Sequence, residues 1–439
     1  MKKKIRGLLM LVIFCLLIIL SVNGNVLAAE TEEAVVVAEG TCGESLFWSL
    51  EEDGRLYIYG TGEMEDYEKP EEQPLAPCTL VAEENSENIE ENDSLDYINK
   101  APWGEYNEMI TYVCIDEGVT SIGNYSFCNC YNLESVLFFP EHKNMKKIGE
   151  GAFWQCESLY RADLEELQAL ISIESSAFKY CASLKQITIP DTVTYIGEES
   201  FCGCASLQEI IIPDSVAAIG RYSLSECYNL KSVKFPEEIK TLPEGIFLEC
   251  YSLSNIVIPE SVEKIGHSAF AKCYALTDFT IPKSVKEIDS YAFSYCYTLT
   301  EIIMPESVET WGAGVFQNCT QLQSVTLPKN IKIIPGWMFS GCLSLHEIVF
   351  PESVEELGYN AFYDCEIQEI LIPENVKAIK SQAFAKNIAL REIVIPESVE
   401  ELGDEVFLKC SNLYKLQLEG NITSCGKKVF GYCQNLSEV

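Results

Sequence analysis

One unit of 23 residues recurs along most of this chain. A chain written that way cannot build an ordinary globular core, because no single unit is long enough to bury its own apolar face. Residues 201–220 read FCGCASLQEIIIPDSVAAIG, residues 247–266 read FLECYSLSNIVIPESVEKIG, and residues 293–312 read FSYCYTLTEIIMPESVETWG. Anchoring on the aromatic of each unit gives Phe127, Phe153, Phe178, Phe201, Leu224, Phe247, Phe270, Phe293, Phe316, Phe339, Phe362, Phe384, Phe407 and Phe430, 14 copies in all. From Phe178 to Phe362 every step is 23 residues; the step to Phe384 is 22, and the first two are 26 and 25.

The unit reads F-x-x-C-x-x-L-x-x-I-x-I-P-x-S-V-x-x-I-G. Its two central isoleucines alternate, which is the period of a strand. Pro213, Pro259, Pro305 and Pro351 end that strand, since proline cannot donate to a ladder. Gly220, Gly266 and Gly312 mark a later turn. Stacking the units in parallel, about 4.8 Å apart, buries what one unit cannot, and 14 coils reach roughly 65 Å. The expected fold is therefore a solenoid, mainly β with short helical turns, with a parallel β-sheet on its concave face.

The copies of AFAKCYALTDFTIPKSVKEI carry a closer likeness. They resemble the BspA-like (Treponema pallidum type) leucine-rich repeats of bacterial surface proteins. GTCGESLFWSLEEDGRLYIYGTGEMEDY and APWGEYNEMITYVCIDEGVTSIG, ahead of the repeats, resemble that family's N-terminal β cap. The likeness covers about residues 40–439. It implies an exported protein that binds other macromolecules, host or microbial surface proteins or glycans, and names no ligand. The cap also has a physical rationale, since LFWSLEE and RLYIYGTG read as two strands joined by EDG and would cover an open solenoid end.

The domain expectation is a secretory signal peptide over residues 1–29, the cap over 30–117 with an acidic loop insertion at about 69–100, and repeats over 118–439. MKKKIRG supplies the basic start, LLMLVIFCLLIILSV an apolar core too short to span a bilayer, and NGNVLAA the small residues for cleavage after Ala28 or Ala29. No second run of spanning length follows, so the mature chain is expected outside the cell with no membrane insertion. The last unit stops where its strand should begin, the ending expected of a truncated sequence. The net charge of −36 argues strongly against nucleic acid as a partner, because phosphate binding needs clustered Lys and Arg.

Thirteen cysteines stand three residues after the anchor, from Cys130 to Cys433, with Asn387 as the one gap. Three readings compete: a small buried hydrophobe under the aromatic column, disulfides between neighbouring coils, and metal ligation. Disulfides would consume alternate rungs, whereas the repeat treats every rung alike. Zinc wants tighter groups than the Cys-x-Cys pairs at Cys128/Cys130 and Cys202/Cys204 provide. Cys42 and Cys78 are candidates to pair across the cap. No nucleotide, zincin or hydrolase motif is present, and His142, His267 and His346 fall at three different repeat positions. The expectation is a binding protein with no catalytic residue, cofactor or metal. The alternative is a passive spacer for a missing C-terminal domain.

A binding face should break the polar norm of a solvated surface. Strand alternation points two columns outward. One is polar and includes Glu301, Glu347, Glu369 and Glu392. The other is apolar beyond what solubility needs, with Ile211, Val257, Ile303, Val349, Leu371 and Val394. These ten residues are the candidate ligand-binding set. A second candidate is an aromatic column, Tyr228, Tyr251, Tyr274 and Tyr297, one residue beyond the ladder cysteines.

Overall fold

The computed structural model describes residues 34–70, 99–139, 143–277 and 279–438. The expected signal peptide, most of the acidic loop, Cys78, His142 and Asp278 lie outside the described residues. The chain divides into a unit of residues 1–36, of which 34–36 are described, and a unit of residues 37–439, treated below.

The first three strands are β1 (Val36–Gly43), β2 (Leu46–Glu51) and β3 (Arg55–Gly60). β2 and β3 form an antiparallel hairpin with Phe47 opposite Tyr59. β3 then pairs in parallel with Tyr112–Ile115, which pairs with Ser135–Phe138, so one sheet runs from the hairpin into the repeats.

Each repeat makes one coil, and neighbouring coils are joined along three sides. On the first, the I-x-I strands pair in parallel, Ile210 opposite Val233 and Val233 opposite Ile256. The second is a two-residue strand just before the repeat glycine: Thr241–Leu242, Lys264–Ile265, Glu287–Ile288 and Thr310–Trp311 pair in series. The motif had suggested only a turn there. Beside it Gly312 must lack a side chain, since a Cβ would lie 2.0 Å from the Ser290 nitrogen of the preceding coil.

The third side bends around the anchor. The residues two before and two after every anchor are left-handed, with φ between +52° and +75°. Most are not glycine, at a cost of about 1 kcal/mol each. Alternating the hand points successive alternate N–H groups toward the following coil. Tyr291 donates to Ala313 O at 2.8 Å, Phe293 to Val315 O at 3.0 Å and Tyr295 to Gln317 O at 2.7 Å. The same alternation forbids a right-handed run. Helix among the described residues is accordingly confined to two 3₁₀ turns, Gly104–Tyr106 and Leu164–Glu166.

This polarity explains the cap residues. The first coil has no predecessor to donate to its carbonyls at Asn124, Ser126 and Cys128. Tyr67 N–H takes Asn124 O at 3.0 Å, the Trp103 indole takes Ser126 O at 2.9 Å, and the buried Asn99 amide takes Ser126 O and Cys128 O at 3.1 and 3.0 Å. Trp103 also stacks on Phe127, 5.2 Å between centroids, and so begins the aromatic column that continues through Phe153, Phe178 and Phe201.

Side chains repeat the stitching. The serine of P-x-S-V donates to the coil before it, as Ser261 does to Ile239 O at 2.7 Å and Ser307 to Val285 O at 2.7 Å. The cysteine does likewise: its thiol points at the carbonyl of the preceding anchor, Cys296 to Phe270 O and Cys319 to Phe293 O at 3.3 and 3.1 Å. That carbonyl already accepts the cysteine N–H of its own coil, Cys273 N to Phe270 O at 3.1 Å. The thiol is thus a packing atom with a weak donor, which is what a crowded acceptor can use.

Asn387, the one exception, follows from the one short coil. The 22-residue step lacks a residue after Cys365, and the Asn387 side-chain Oδ1 accepts the Ile367 N–H at 3.3 Å. Its amide still donates to Phe362 O at 2.6 Å, the bond a thiol would have made. On the first side, strand pairing is absent at Glu347–Val349 and Glu369–Leu371, as it also is at Gln186–Thr188, and resumes at Glu392–Ile395.

Candidate functional site

The candidate face is the outer surface of the first ladder. Ile210, Ile302, Ile348, Ile370 and Ile393 point into the core and are buried. Their strand neighbours therefore point out. All six apolar candidates, Ile211, Val257, Ile303, Val349, Leu371 and Val394, are exposed, from 40% at Val394 to 84% at Leu371. Glu301, Glu347, Glu369 and Glu392 are exposed on the same face. The apolar column is not continuous, since Lys234, Thr280 and Thr326 interrupt it. Its unbroken part is Val349, Leu371 and Val394 on consecutive rungs, the first two of them where strand pairing is absent. Near Val257, a shallow hollow is lined by Val233, Lys234, Phe235 and Pro259.

At the far end of the run Glu392 is engaged. The Tyr414 hydroxyl donates to it, Lys415 reaches it at 3.2 Å, and both hold its carboxyl below the usual range.

The tyrosine column is a continuous stack. Centroids of Tyr228, Tyr251, Tyr274 and Tyr297 are 5.0, 4.7 and 4.8 Å apart, with planes within 16° of parallel. Tyr251 donates to Glu249 at 2.9 Å, and Lys272 reaches the same carboxylate at 2.6 Å. Burial, then Glu226 and Glu249, push the Tyr228 phenol up to about 12. Rings stacked this closely cover one another's faces, and the Tyr228 and Tyr251 hydroxyls are tied to Glu226 and Glu249. The geometry makes the column part of the coil-to-coil packing.

The described ladder cysteines are free thiols, buried except for the half-buried Cys433. Burial pushes each of them up, Cys319 and Cys365 to about 12. Cys425 is the exposed thiol among the described residues. An alkylating reagent at neutral pH is expected to label Cys425 fast in the native protein. The ladder from Cys130 to Cys410 should react only after guanidinium unfolding without reductant, as read by peptide mass spectrometry. Disulfide-linked ladder peptides in the unreduced digest would overturn this.

His346 is exposed with Nδ1 3.2 Å from Glu366 O, while His267 packs edge-on against Tyr291. Among the described residues no three His, Cys, Asp or Glu converge as metal ligands, and no helix is long and apolar enough to cross a membrane.

Comparisons with known proteins agree with this architecture. A repeat-family profile described as "BspA type Leucine rich repeat region (6 copies)" matches residues 82–207, 171–300, 242–368 and 309–437. A solved leucine-rich repeat protein from Bacteroides ovatus ATCC 8483 is 30% identical with a TM-score of 0.68, over 73% of this chain and 82% of that one. One from Eubacterium ventriosum ATCC 27560 shares the fold at 24% identity and a TM-score of 0.55, over 84% and 94% of the two chains. No curated protein matches.

Proposed function

This chain belongs to the BspA-type leucine-rich repeat family, and from that premise we propose that it is an exported protein that binds another protein through the outer face of its first strand ladder. Leucine-rich repeats of this kind are interaction scaffolds of the bacterial surface, and they act by offering a long regular surface rather than a reactive centre. The observation that carries the reading is the run Val349, Leu371 and Val394. These are exposed apolar side chains on consecutive rungs, where a solvated strand needs none. β-propensity alone would favour Val or Ile at such positions, but it does not select Leu371, the most exposed of the three. The leader-like residues 1–29 support export, and adhesion to a host or microbial surface is the role such a face would serve.

The test is the triple change Val349→Ser, Leu371→Ser and Val394→Ser. The three side chains lie outside the core, so secretion and melting are expected to stay nearly unchanged. Adhesion to the protein partner captured by the exported wild-type chain should fall at least tenfold, about 1.4 kcal/mol. Full adhesion by a folded triple variant would remove this face from the account.

A further inference from the structure

The apolar run lies between two acidic rails. On one side Glu347, Glu369 and Glu392 precede Val349, Leu371 and Val394 by two residues in each rung. On the other, Glu352, Glu374 and Glu397 follow the strand-ending prolines of the same three coils, and all six carboxylates are exposed. In other coils the lysines pair with carboxylates off these two columns, as in Lys264 with Glu287 at 2.8 Å, Lys272 with Glu249 at 2.6 Å and Lys286 with Glu263 at 2.8 Å. There the column glutamates Glu209, Glu260, Glu301 and Glu306 likewise hold no ion pair among the described residues, but do not flank three consecutive apolar rungs. In these three coils the lysines go past the rails: Lys332 and Lys377 to Glu355, and Lys380 to Glu356 and Glu401. Glu392 alone has a cation, Lys415. The other five rail glutamates hold no ion pair among the described residues. Arg391, exposed beside Glu392, is the other cation at that end.

Resting on the reading that this face binds protein, we propose that its partner presents a cationic amphipathic α-helix, laid along the stack with its apolar stripe on Val349, Leu371 and Val394 and a row of Lys or Arg against each rail. Three features select a helix with that pattern. The coils stack edge to edge, so their outward face presents side chains and not the hydrogen-bonding edge that an added strand would need. A partner docking there must satisfy its own backbone, which a helix does. Three rungs at about 4.8 Å span roughly 10 Å, close to two helical turns of 5.4 Å, so apolar residues at i, i+4 and i+7 can meet consecutive rungs. Finally, unpaired carboxylates on both flanks favour cations on both flanks of the partner. They speed encounter and reject acidic helices.

The probe is a synthetic peptide of about 18 residues, five turns, with a leucine stripe between two lysine rows, labelled for fluorescence anisotropy. The control is a peptide of the same composition with the stripe scrambled. The amphipathic peptide should bind wild type saturably, at least tenfold tighter than the scrambled one, and weaken as salt rises. Replacing Glu347→Gln, Glu352→Gln, Glu369→Gln and Glu374→Gln should leave the circular dichroism melt unchanged, weaken binding at least tenfold and flatten the salt dependence. The same four changes at Glu198, Glu260, Glu306 and Glu309, in other coils, should not. Equal binding of the two peptides, or equal loss from both sets of changes, would show general attraction to an acidic protein and overturn the proposal. So would no saturable binding at about 100 μM, a value weaker than typical specific docking. If the triple serine variant still loses its captured protein partner while the wild type ignores the peptide, the face stands as a docking site and the helix does not.

Discussion

In the presence of a reductant, raising the pH above about 9 should unfold this protein over a narrow interval. Twelve ladder thiols from Cys130 to Cys410 are buried to 1% exposure or less. Burial pushes every one of them up, and Cys319 and Cys365, at about 12, are among the least displaced. An unfolded cysteine gives up its proton near 8.5. Below that pH both states keep their protons, and the ladder adds no pH dependence. Above it the unfolded chain releases protons that the folded chain still holds, so stability falls as pH rises and goes on falling toward the folded values. One such thiol costs about 1.4 kcal/mol per pH unit, and the whole ladder on the order of 15. That is comparable with the total stability of a typical domain.

Far-ultraviolet circular dichroism against pH reads the transition, and its steepness reads the number of protons released. Cys250→Ala, Cys273→Ala and Cys296→Ala together remove three titrating groups and should lower that number by about three. They should also cost some stability at pH 7, where the sulfur volume and the weak S–H bonds are lost. A signal unchanged through pH 11, or a proton number blind to the triple change, would show that the ladder is not held as neutral thiols in a dry core.

Much of this was legible in the sequence because the repeat makes one measurement many times. Alternation around Ile210 and Ile302 told which side chains face out, and the exposures of Ile211, Ile303 and Leu371 agree. The thiol column was legible as a buried hydrophobe, but its bond to the preceding anchor was not, since Phe270 O and Cys296 meet only after coiling. The second ladder was missed for a physical reason. Lys264–Ile265 offers one inward residue and a glycine, too few to show a period of two. The left-handed pairs were hidden because their residues share nothing: Glu199, Ser268, Trp337 and Lys428 all occupy the same conformation, imposed by the hydrogen bonds between coils. At the candidate face the columns could be read. The breaks in strand pairing at Thr188, Val349 and Leu371 could not, because they depend on how neighbouring coils settle on one another.

Phe293→Ala should be the most damaging single change in the aromatic column, by about 3–5 kcal/mol. Phe293 is fully buried, with ring centroids of Phe270, Phe316 and Phe279 at 5.2, 5.7 and 5.0 Å. Truncation leaves a ring-sized cavity, and the surroundings cannot close it. The Phe293 N–H is fixed to Val315 O, its carbonyl takes the Cys319 thiol, and both neighbouring coils are pinned in the same way. Phe293→Leu should cost far less, about 1.5 kcal/mol or under, since Leu224 already stands in this column, fully enclosed. The shape of unfolding matters as much as its size. A coil touches only its two neighbours, so stability is a sum of coil and interface terms. Two interfaces weakened at Phe293 should divide one cooperative array into two. Urea unfolding of Phe293→Ala is therefore expected to show an intermediate, with amide exchange quickened first around Phe270, Phe293 and Phe316 while Trp103 to Phe201 stays protected. A single transition merely shifted to lower urea, with exchange quickened evenly from end to end, would mean that coupling extends well beyond nearest neighbours.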